Sequence, residues 1–467
     1  METMDSTIRA IRTDSFDFVV CGGGPAGFST ALSSARKGLR VALIEKLGCL
    51  GGVSTSGGIH YFLGGRKLNE RTKEHVRVIG GIFDEFTDSL IQEGNAIEPN
   101  SIDMDFNPVG WYPRMASGIS CDPFAIKLKM EQMLLEAGVR IYFHTDLVQA
   151  TVEGKTIVSI LVHNKDGFVG LKARLFADCT GDGDLAVYSG CSYEQGRAED
   201  GLTCPSSLEM VVDNVDGDTL VRYQNAHQSP KLIEIIEDLK HTGVWDFPYE
   251  IFVCMQLVQK DVFLINTIRQ IGVDGTSEQS VSEALMDGRQ QNLRLFGIMK
   301  EYFPGFGNAR IRWVSDWMGI RETRRIAGLH RITLQDALGG ARYADCVAAT
   351  TYNFDLPDPL KPSYDPMLGD AKHPNAIRRH TVIQIPFRSM LSPQIDNLVV
   401  AGRCISCDRE VLGPVRIMGP CMQMGQAAGT AAALVAKGTT FKQVSMEKLR
   451  TTLWTDGVLN PEQLPFD

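Results

Sequence analysis

The chain has 467 residues and a formal net charge of −9, with 43% hydrophobic and 22% charged residues. A chain of this length is expected to divide into two or three domains, because single cores stop growing at about 250–300 residues. The acidic balance and the lack of a basic cluster argue against a nucleic-acid partner and against an anionic membrane surface. No apolar run reaches the roughly 20 residues that would cross a bilayer.

The N-terminal segment and the cysteines bear on the cellular compartment. Residues 1–14 contain acids and no apolar core, so they do not resemble a secretory signal, and we interpret them as a flexible leader. Eleven cysteines are scattered along the chain. An odd number of cysteines without a secretory signal predicts free thiols and a reduced, cytoplasmic location.

The first predicted elements are a strand, a helix and a second strand. The apolar run from Phe16 to Cys21 suits a buried parallel strand. Phe28 to Lys37 has the pattern of a helix, and Gly38 is a typical helix stop. Leu39 to Ile44 is again an apolar, strand-like run. Together these segments predict a βαβ unit.

The loop of this unit has the G-x-G-x-x-G spacing of a dinucleotide-binding fingerprint. Gly22 permits a tight turn, Gly24 lets the backbone approach a pyrophosphate, and Gly27 allows close helix–strand packing. The phosphates are expected at the helix N-terminus, where backbone N–H groups are free. Glu45 follows the second strand and is positioned to accept hydrogen bonds from a ribose. The other predicted contacts in this unit are Pro25, Ala26 and Lys46.

A second glycine-rich stretch, Leu47 to Gly58, suits a backbone that passes close to a flat ligand. Asp122 to Ala137 then has the pattern of an amphipathic helix, with Asp122 as its N-cap. Strand-like runs follow at residues 139–143, 147–152, 157–163 and 168–176, and Asp166-Gly167 predicts a hairpin turn between the last two.

Two later blocks extend the predicted ligand site. In the first, an apolar strand ends in the acid–glycine turn Thr180, Gly181 and Asp182, which can place its backbone against a dinucleotide. In the second, a strand from Leu398 to Ala401 runs into Gly402 and Arg403. An alanine- and glycine-rich helix over residues 422–437 follows, and its N-terminus is expected to face the ligand.

The three blocks together resemble the FAD-dependent oxidoreductases of the glutathione-reductase-like superfamily. The resemblance rests on Leu50 to Thr55, Arg321 to Ile326 and Ala401 to Ser406, and it covers residues 15–440. It is more distant to the fumarate reductase and succinate dehydrogenase flavoproteins. It implies FAD as the cofactor, bound by the residues named above and by Gly51, Gly52, Ser54, Thr55, Gly425 and Gln426. It also implies an α/β fold: a Rossmann-like FAD-binding domain, with a central parallel sheet and a small antiparallel sheet, and an inserted substrate domain.

The compositional changes divide the chain accordingly. We predict a leader (1–14), a first FAD-binding part (15–202, with an excursion at 60–120) and a substrate or cap domain (203–390). A second FAD-binding part (391–440) and a C-terminal extension (441–467) follow. The proline-rich stretch from Tyr352 to Pro374 is a candidate contact in a homo-oligomer.

The cysteines near these blocks do not indicate redox or metal chemistry. Disulfide reductases of the superfamily carry two cysteines after the ribose-binding acid, whereas this chain has only Cys49 there. Cys404 and Cys407 form the single C-x-x-C pair, and no second pair exists to complete a zinc site. We interpret them as packing thiols and predict no metal site.

The leading functional hypothesis is a dehydrogenase or oxidase that moves a hydride from a small organic molecule to the flavin. A reductase, a monooxygenase, an electron-transfer subunit and a flavoprotein with structural FAD stay open as alternatives. His60 and His380 are candidate bases. Arg416 is a candidate for binding a substrate carboxylate or stabilising reduced flavin, and Arg321 belongs to a basic cluster of which one member is expected to face the site.

Overall fold

The computed structural model describes residues 9–69, 71–101, 117–367, 369–370 and 382–466. Its strands are β1 (Arg12–Cys21), β2 (Val41–Ile44), β3 (Tyr61–Phe62), β4 (Arg66–Leu68), β5 (His75–Arg77), β6 (Ala96–Ile97), β7 (Ile119–Cys121), β8 (Arg140–Tyr142), β9 (Asp146–Glu153), β10 (Thr156–Asn164), β11 (Gly167–Asp178), β12 (Tyr193–Gln195), β13 (Met210–Asp213), β14 (Cys254–Gln256), β15 (Phe263–Ile265), β16 (Arg310–Val314), β17 (Arg324–Ile326), β18 (Cys346–Thr350), β19 (Tyr364–Asp365), β20 (Gly369–Asp370), β21 (Ile383–Pro386) and β22 (Leu398–Val400). Its helices are α1 (Pro25–Arg36), α2 (Gly81–Gln92), α3 (Pro123–Glu136), α4 (Asp184–Tyr188), α5 (Gly217–His227), α6 (Ile233–His241), α7 (Glu278–Tyr302), α8 (Leu334–Gly339), α9 (Arg409–Val415), α10 (Met418–Leu434) and α11 (Met446–Thr455).

The central sheet has the strand order of a dinucleotide-binding fold. Strands β8, β2, β1 and β11 are neighbours and parallel, and β22 adds in parallel to the C-terminal end of β11. Numbered along the chain, these five strands have the order 3-2-1-4-5 of a Rossmann sheet. β9 and β10 form an antiparallel extension on the first half of β11. The predicted α/β fold, with a parallel sheet and small antiparallel sheets, is confirmed.

Helices α1 and α10 pack against each other because small residues allow their backbones to approach. A Cβ on Gly425 would lie 2.2 Å from the carbonyl oxygen of Ala26, and a Cβ on Gly429 would lie 2.3 Å from that of Thr30. Any larger side chain at either glycine would therefore separate the helices. This contact joins the C-terminal part of the FAD-binding region to its N-terminal part.

Three boundaries differ from the sequence-based prediction. β1 begins at Arg12, three residues before the predicted domain start, because its polar end pairs with β11. α1 begins at Pro25 rather than Phe28. α10 begins at Met418 instead of residue 422, since a proline is tolerated in the first helical turn, where its missing N–H has no intrahelical partner. Residues 1–8 of the predicted leader lie outside the described residues.

Other local predictions are confirmed. Asp122 caps α3 by accepting the backbone N–H groups of Phe124 and Ala125, both at 2.9 Å. The turn at Asp166-Gly167 joins β10 and β11 as an antiparallel pair.

The region between β12 and β21 has its own hydrophobic core. Its four-stranded antiparallel sheet has the order β14-β15-β13-β16. Phe252, Phe263, Phe303 and Phe306 are buried together on this sheet, separate from the core of the central sheet. This arrangement fits a substrate domain over residues 203–390, and the division of the chain into domains stays a prediction.

Candidate active site

The loop between β1 and α1 uses its glycines in two ways. Gly22 has φ +97°, and a Cβ there would lie 2.5 Å from the carbonyl oxygen of Cys179 at the end of β11. A Cβ on Gly27 would lie 1.7 Å from the carbonyl oxygen of Gly22. A Cβ on Gly24, in contrast, would meet no atom within 4 Å. Gly22 and Gly27 therefore allow close packing, whereas Gly24 leaves space for a ligand.

Glu45 lies at the end of β2 with both carboxylate oxygens engaged. Oε2 accepts the backbone N–H of Gly23 at 2.6 Å, and Oε1 accepts that of Leu47 at 2.8 Å. Burial raises the pKa of Glu45, and these hydrogen bonds oppose that effect. Because each carboxylate oxygen accepts more than one hydrogen bond, Glu45 can hold the loop and still accept a ribose hydroxyl.

A cavity of about 690 Å³ lies along these elements. This volume falls in the usual range for cofactor pockets, roughly 300–1,000 Å³. All three sequence blocks contribute to its wall. The predicted cofactor contacts in the lining are Gly22, Gly24, Pro25, Ala26, Glu45, Lys46, Gly52, Thr180, Gly181, Asp182, Gly402 and Arg403. The space at Gly24, the acceptor at the end of β2 and the convergence of the blocks fit a dinucleotide.

Arg403 connects the second block to the third. Its Nε donates to the carbonyl oxygen of Gly181 at 2.9 Å, and its Nη2 forms an ion pair with Asp182. Asp182 also accepts the hydroxyl of Thr323 at 2.8 Å. Arg403 and Asp182 thus line the cavity and also fix the loops that form it.

The remaining predicted contacts support the cavity from outside its lining. Ser54 and Thr55 donate their hydroxyls to the carbonyl oxygens of Gly51 and Leu50, at 2.8 and 2.6 Å, and so fix the glycine-rich turn. Gly27 packs α1 on the loop, and Gly425 packs α10 on α1. The side chain of Gln426 accepts the backbone N–H of Ile82 at the start of α2. For Gly425 and Gln426 the structure therefore shows packing and capping contacts instead of a place in the cavity wall.

Among the candidate catalytic residues that the structure describes, only Arg416 lines this cavity. Its Nη2 donates to the carbonyl oxygen of Asp355 at 3.0 Å and lies 3.6 Å from the carboxylate of the same residue. Arg321 donates to the carbonyl oxygen of Pro205 at 2.8 Å. Its neighbours Arg324 and Arg325 are ion-paired. His380 lies outside the described residues.

His60 is buried, with 1% of its surface exposed. Its ring stacks on Trp313 at a centroid distance of 5.8 Å. Neither ring nitrogen has a hydrogen-bond partner among the described residues. Burial lowers the pKa of His60 to about 4, so the imidazole is neutral at physiological pH.

Sequence reasoning missed Glu209, which immediately precedes β13 and lies close to Trp313, on which His60 stacks. It is fully buried, and Oε1 accepts the hydroxyl of Ser207 at 2.7 Å. Oε2 has no partner in the part of the chain that the structure describes. A Cβ on Gly58, the last glycine of the second glycine-rich stretch, would lie 2.6 Å from Cβ of Glu209 and 3.3 Å from Trp313.

Burial raises the pKa of Glu209 to about 7, and the positive charge of Arg269 opposes that effect. Its carboxyl group is thus near the midpoint of its titration at physiological pH. Arg269, a second residue that sequence reasoning missed, is 5% exposed. Its guanidinium stacks on Tyr249 at 4.3 Å from the ring centroid. An acid that interrupts the apolar run 208–212 was the available sequence signal for Glu209.

The cysteines have the surroundings expected of packing thiols. Cys404 and Cys407 are free and buried, and burial raises the pKa of both, that of Cys407 to about 12. Cys49 is half-buried, with Sγ 3.2 Å from the hydroxyl of Ser56. The described residues contain no group of three or more metal-ligating side chains. In the same described part, none of the helices combines the length and apolarity of a membrane span.

A model of the FAD dependent oxidoreductase family matches residues 17–453. Among solved structures, a geranylgeranyl bacteriochlorophyll reductase-like protein from Thermoplasma acidophilum is 11% identical, with 95% of this chain and 84% of that chain covered and a TM-score of 0.47. The flavin-dependent brominase Bmp2 is 12% identical, with coverage of 94% and 83% and a TM-score of 0.45. The myxobacterial chondrochloren halogenase CndH is 13% identical, with coverage of 94% and 78% and a TM-score of 0.42. Similarity at these values does not bear on substrate or reaction.

Proposed function

The chain belongs to the FAD-dependent oxidoreductase family, and on that premise we propose that it is a dehydrogenase or oxidase of a small organic substrate. Its cofactor is FAD, which when bound supplies the acceptor for a hydride that leaves a substrate carbon. Oxidation of an alcohol or amine also releases a proton, from oxygen or nitrogen. The protein therefore has to provide a proton acceptor next to the substrate.

Residues of the cavity wall would hold FAD. The N–H groups at the start of α1 and the space at Gly24 suit the pyrophosphate, and Glu45 suits a ribose. Arg416, held by Asp355, places a fixed positive charge at the cavity wall, where it favours electron acceptance. The family membership implies FAD, and the roles of these individual residues are our proposal.

The observation that carries the proposed reaction is the state of Glu209. It is fully buried, one of its oxygens has no partner among the described residues, and it lies at Gly58, where the glycine-rich stretch ends. A general base works best when its pKa is near the operating pH, and burial brings the pKa of Glu209 to about 7. We assign Glu209 the role of proton acceptor.

His60 is a second candidate for the same role. Its imidazole is neutral at physiological pH and its ring nitrogens have no partner among the described residues. A pKa of about 4 makes it the weaker base of the two. The stacking on Trp313 instead suits a residue that shapes the wall beside Glu209.

Anaerobic reduction of the bound flavin tests this proposal. The FAD-loaded protein is mixed without oxygen with a small library of alcohols, amines and acids, and the visible absorbance of the flavin is followed. We expect one compound class to bleach the flavin, and the Glu209→Gln variant to be bleached at least a hundredfold more slowly. Flavin that no organic donor bleaches but a nicotinamide does would favour a reductase or monooxygenase instead. Flavin that nothing reduces would favour a structural role.

A further inference from the structure

Two arginines are brought to Glu209 by backbone pairing of three chain segments. Ser206 and Gln270 exchange backbone hydrogen bonds at 3.0 and 2.8 Å, which places Arg269 beside the strand that leads to Glu209. Ser207 and Gly319 pair in the same way, at 3.2 and 2.8 Å, which places the segment of Arg321 on the other side.

The side-chain contacts agree with this placement. Arg321 donates to the carbonyl oxygen of Pro205, within the same short segment. Both guanidinium groups act on the pKa of Glu209 through their charge. Arg269, Arg321 and Glu209 therefore form one cluster at the substrate side of the proposed site.

The cations of this cluster lack the counterions that other arginines of the region have. Arg325 and Arg409 share the carboxylate of Glu322 at 2.9 and 3.0 Å. Among the described residues, neither Arg269 nor Arg321 has a carboxylate oxygen within 4 Å. A buried charge without a partner is costly, so a position of this kind points to a ligand that completes it.

Arg269 has limited contacts of its own. Its Nη1 donates to the backbone carbonyls of Asn266 and Ile268, both at 3.0 Å, and to the side-chain oxygen of Asn266 at 2.6 Å. Its Nε is buried and has no partner within the described part of the chain. Neutral acceptors therefore hold Nη1, and the Nε–H group is left without an acceptor among the described residues.

Arg321 lies close to a second cation. It is half-buried, and its pKa is lowered, first by burial and then by the positive charge of Arg269. Two cations that repel each other in this way favour an anion between them.

We infer that Arg269 and Arg321 bind the carboxylate of the substrate, which is therefore a small organic acid. This inference rests on the proposed function, because it places the oxidised carbon beside Glu209. The planar guanidinium fork matches the geometry of a carboxylate. When Glu209 is ionised, as a proton acceptor has to be, the two arginines and one glutamate leave a single positive charge. One carboxylate neutralises that charge, whereas a phosphate dianion would exceed it.

Binding of acids that cannot be oxidised tests the inference apart from catalysis. The FAD-loaded protein is titrated with pivalate, with the neutral and nearly isosteric pivalamide, and with phosphate and chloride at constant ionic strength. The flavin difference spectrum and isothermal calorimetry report binding. We expect saturable binding of pivalate, at least tenfold tighter than that of pivalamide, phosphate or chloride.

The variants Arg269→Gln and Arg321→Gln should each weaken pivalate binding at least tenfold, with the lysine variants intermediate. The control is Arg312→Gln, because Arg312 is exposed on β16 and contacts Gln259. Its pivalate affinity should equal that of the wild type. If a glutamine variant does not retain FAD, the lysine variants and the ligand series on the wild-type protein decide the question.

Equal binding of pivalate and pivalamide, preferential binding of phosphate, or wild-type affinity in both glutamine variants would overturn the inference. Its failure differs from a failure of the proposed function. Pivalate binding together with flavin that no acid bleaches would leave the anion site standing and reject the reaction. Bleaching by neutral alcohols or amines alone, without pivalate binding, would leave the reaction standing and reject the anion site.

Discussion

The Glu209→Gln substitution should lower the activity and, at high pH, raise the stability relative to the wild type. Glutamine keeps the shape of the side chain and its contact with Ser207, but it cannot accept a proton. Removal of a general base typically lowers the rate by 10²- to 10⁴-fold, so flavin reduction by the substrate should slow by about that factor. The amount of bound FAD should not change, because Glu209 is not part of the lining of the FAD cavity.

The effect on stability follows from the raised pKa of Glu209. In the folded protein this pKa is about 7, compared with 4.5 for an unperturbed glutamate. The folded state therefore holds the proton more tightly, and stability is highest below pH 4.5 and falls as the pH rises to 7. Since one pKa unit corresponds to about 1.4 kcal/mol, the loss amounts to about 3 kcal/mol. Glutamine stays neutral at every pH, so the Glu209→Gln variant does not lose this stability as the pH rises.

Denaturant unfolding of both proteins with saturating FAD, from pH 5 to pH 8, measures this difference. The stability of the variant relative to the wild type should increase by about 2.5 kcal/mol over that range, because a small part of the loss has already occurred at pH 5. An equal pH dependence in both proteins would refute the raised pKa of Glu209. Activity within twofold of the wild type would refute its role as proton acceptor.

Glu322→Gln is a matched control in the same region. Glu322 is as deeply buried as Glu209, but Arg325 and Arg409 hold its carboxylate. Removing its charge leaves Arg409 without a carboxylate within 4 Å among the described residues, and leaves Arg325 with only the carboxylate of Glu194 at 3.7 Å, so the variant should lose about 3–5 kcal/mol of stability. If Glu322→Gln were instead more stable than the wild type at high pH, the assumed difference between a paired and an unpaired buried glutamate would be wrong.

Three other predictions concern separate features. Gly24→Ala should keep the stability of the apoprotein within about 1 kcal/mol and weaken FAD binding at least tenfold, because a Cβ there meets open space. Gly27→Ala should destabilise the fold by about 3 kcal/mol or more, because its Cβ would overlap the backbone of Gly22. Equal behaviour of the two variants in unfolding and FAD titrations would contradict these assignments. Wild-type protein should lose about 3 kcal/mol relative to His60→Gln as the pH falls from 6.5 to 4, because the folded imidazole resists protonation; parallel unfolding curves would exclude this. A thiol reagent should label only Cys49 rapidly in the native protein and all 11 cysteines after denaturation; rapid labelling of a second thiol would reopen a redox role.

Local patterns in the sequence were sufficient for the FAD-binding elements. The glycine spacing between β1 and α1, the acid after β2 and the cap of α3 each act within a few residues, so the sequence displays them directly. The boundaries that differ depend on tertiary structure. Residues 12–15 are all polar, and only their pairing with β11 makes them part of a strand.

The substrate side of the site was not predictable in the same way. Glu209 and Arg269 are 60 positions apart, and they meet because Ser206 pairs with Gln270. Nothing local in the sequence indicates that pairing. The basic cluster at Arg321 was recognised, but only the structure distinguishes this arginine, which has no carboxylate partner among the described residues, from its ion-paired neighbours.

The most direct test of the central claim compares two classes of electron donor in the same anaerobic experiment. The FAD-loaded protein is mixed with NADH or NADPH in one series and with small 2-hydroxy acids and amino acids in another, and flavin reduction is timed. If the protein is a dehydrogenase or oxidase, one of the organic acids should bleach the flavin rapidly, and either nicotinamide should bleach it slowly or not at all. Rapid reduction by a nicotinamide, with no organic acid able to bleach the flavin, would contradict the account.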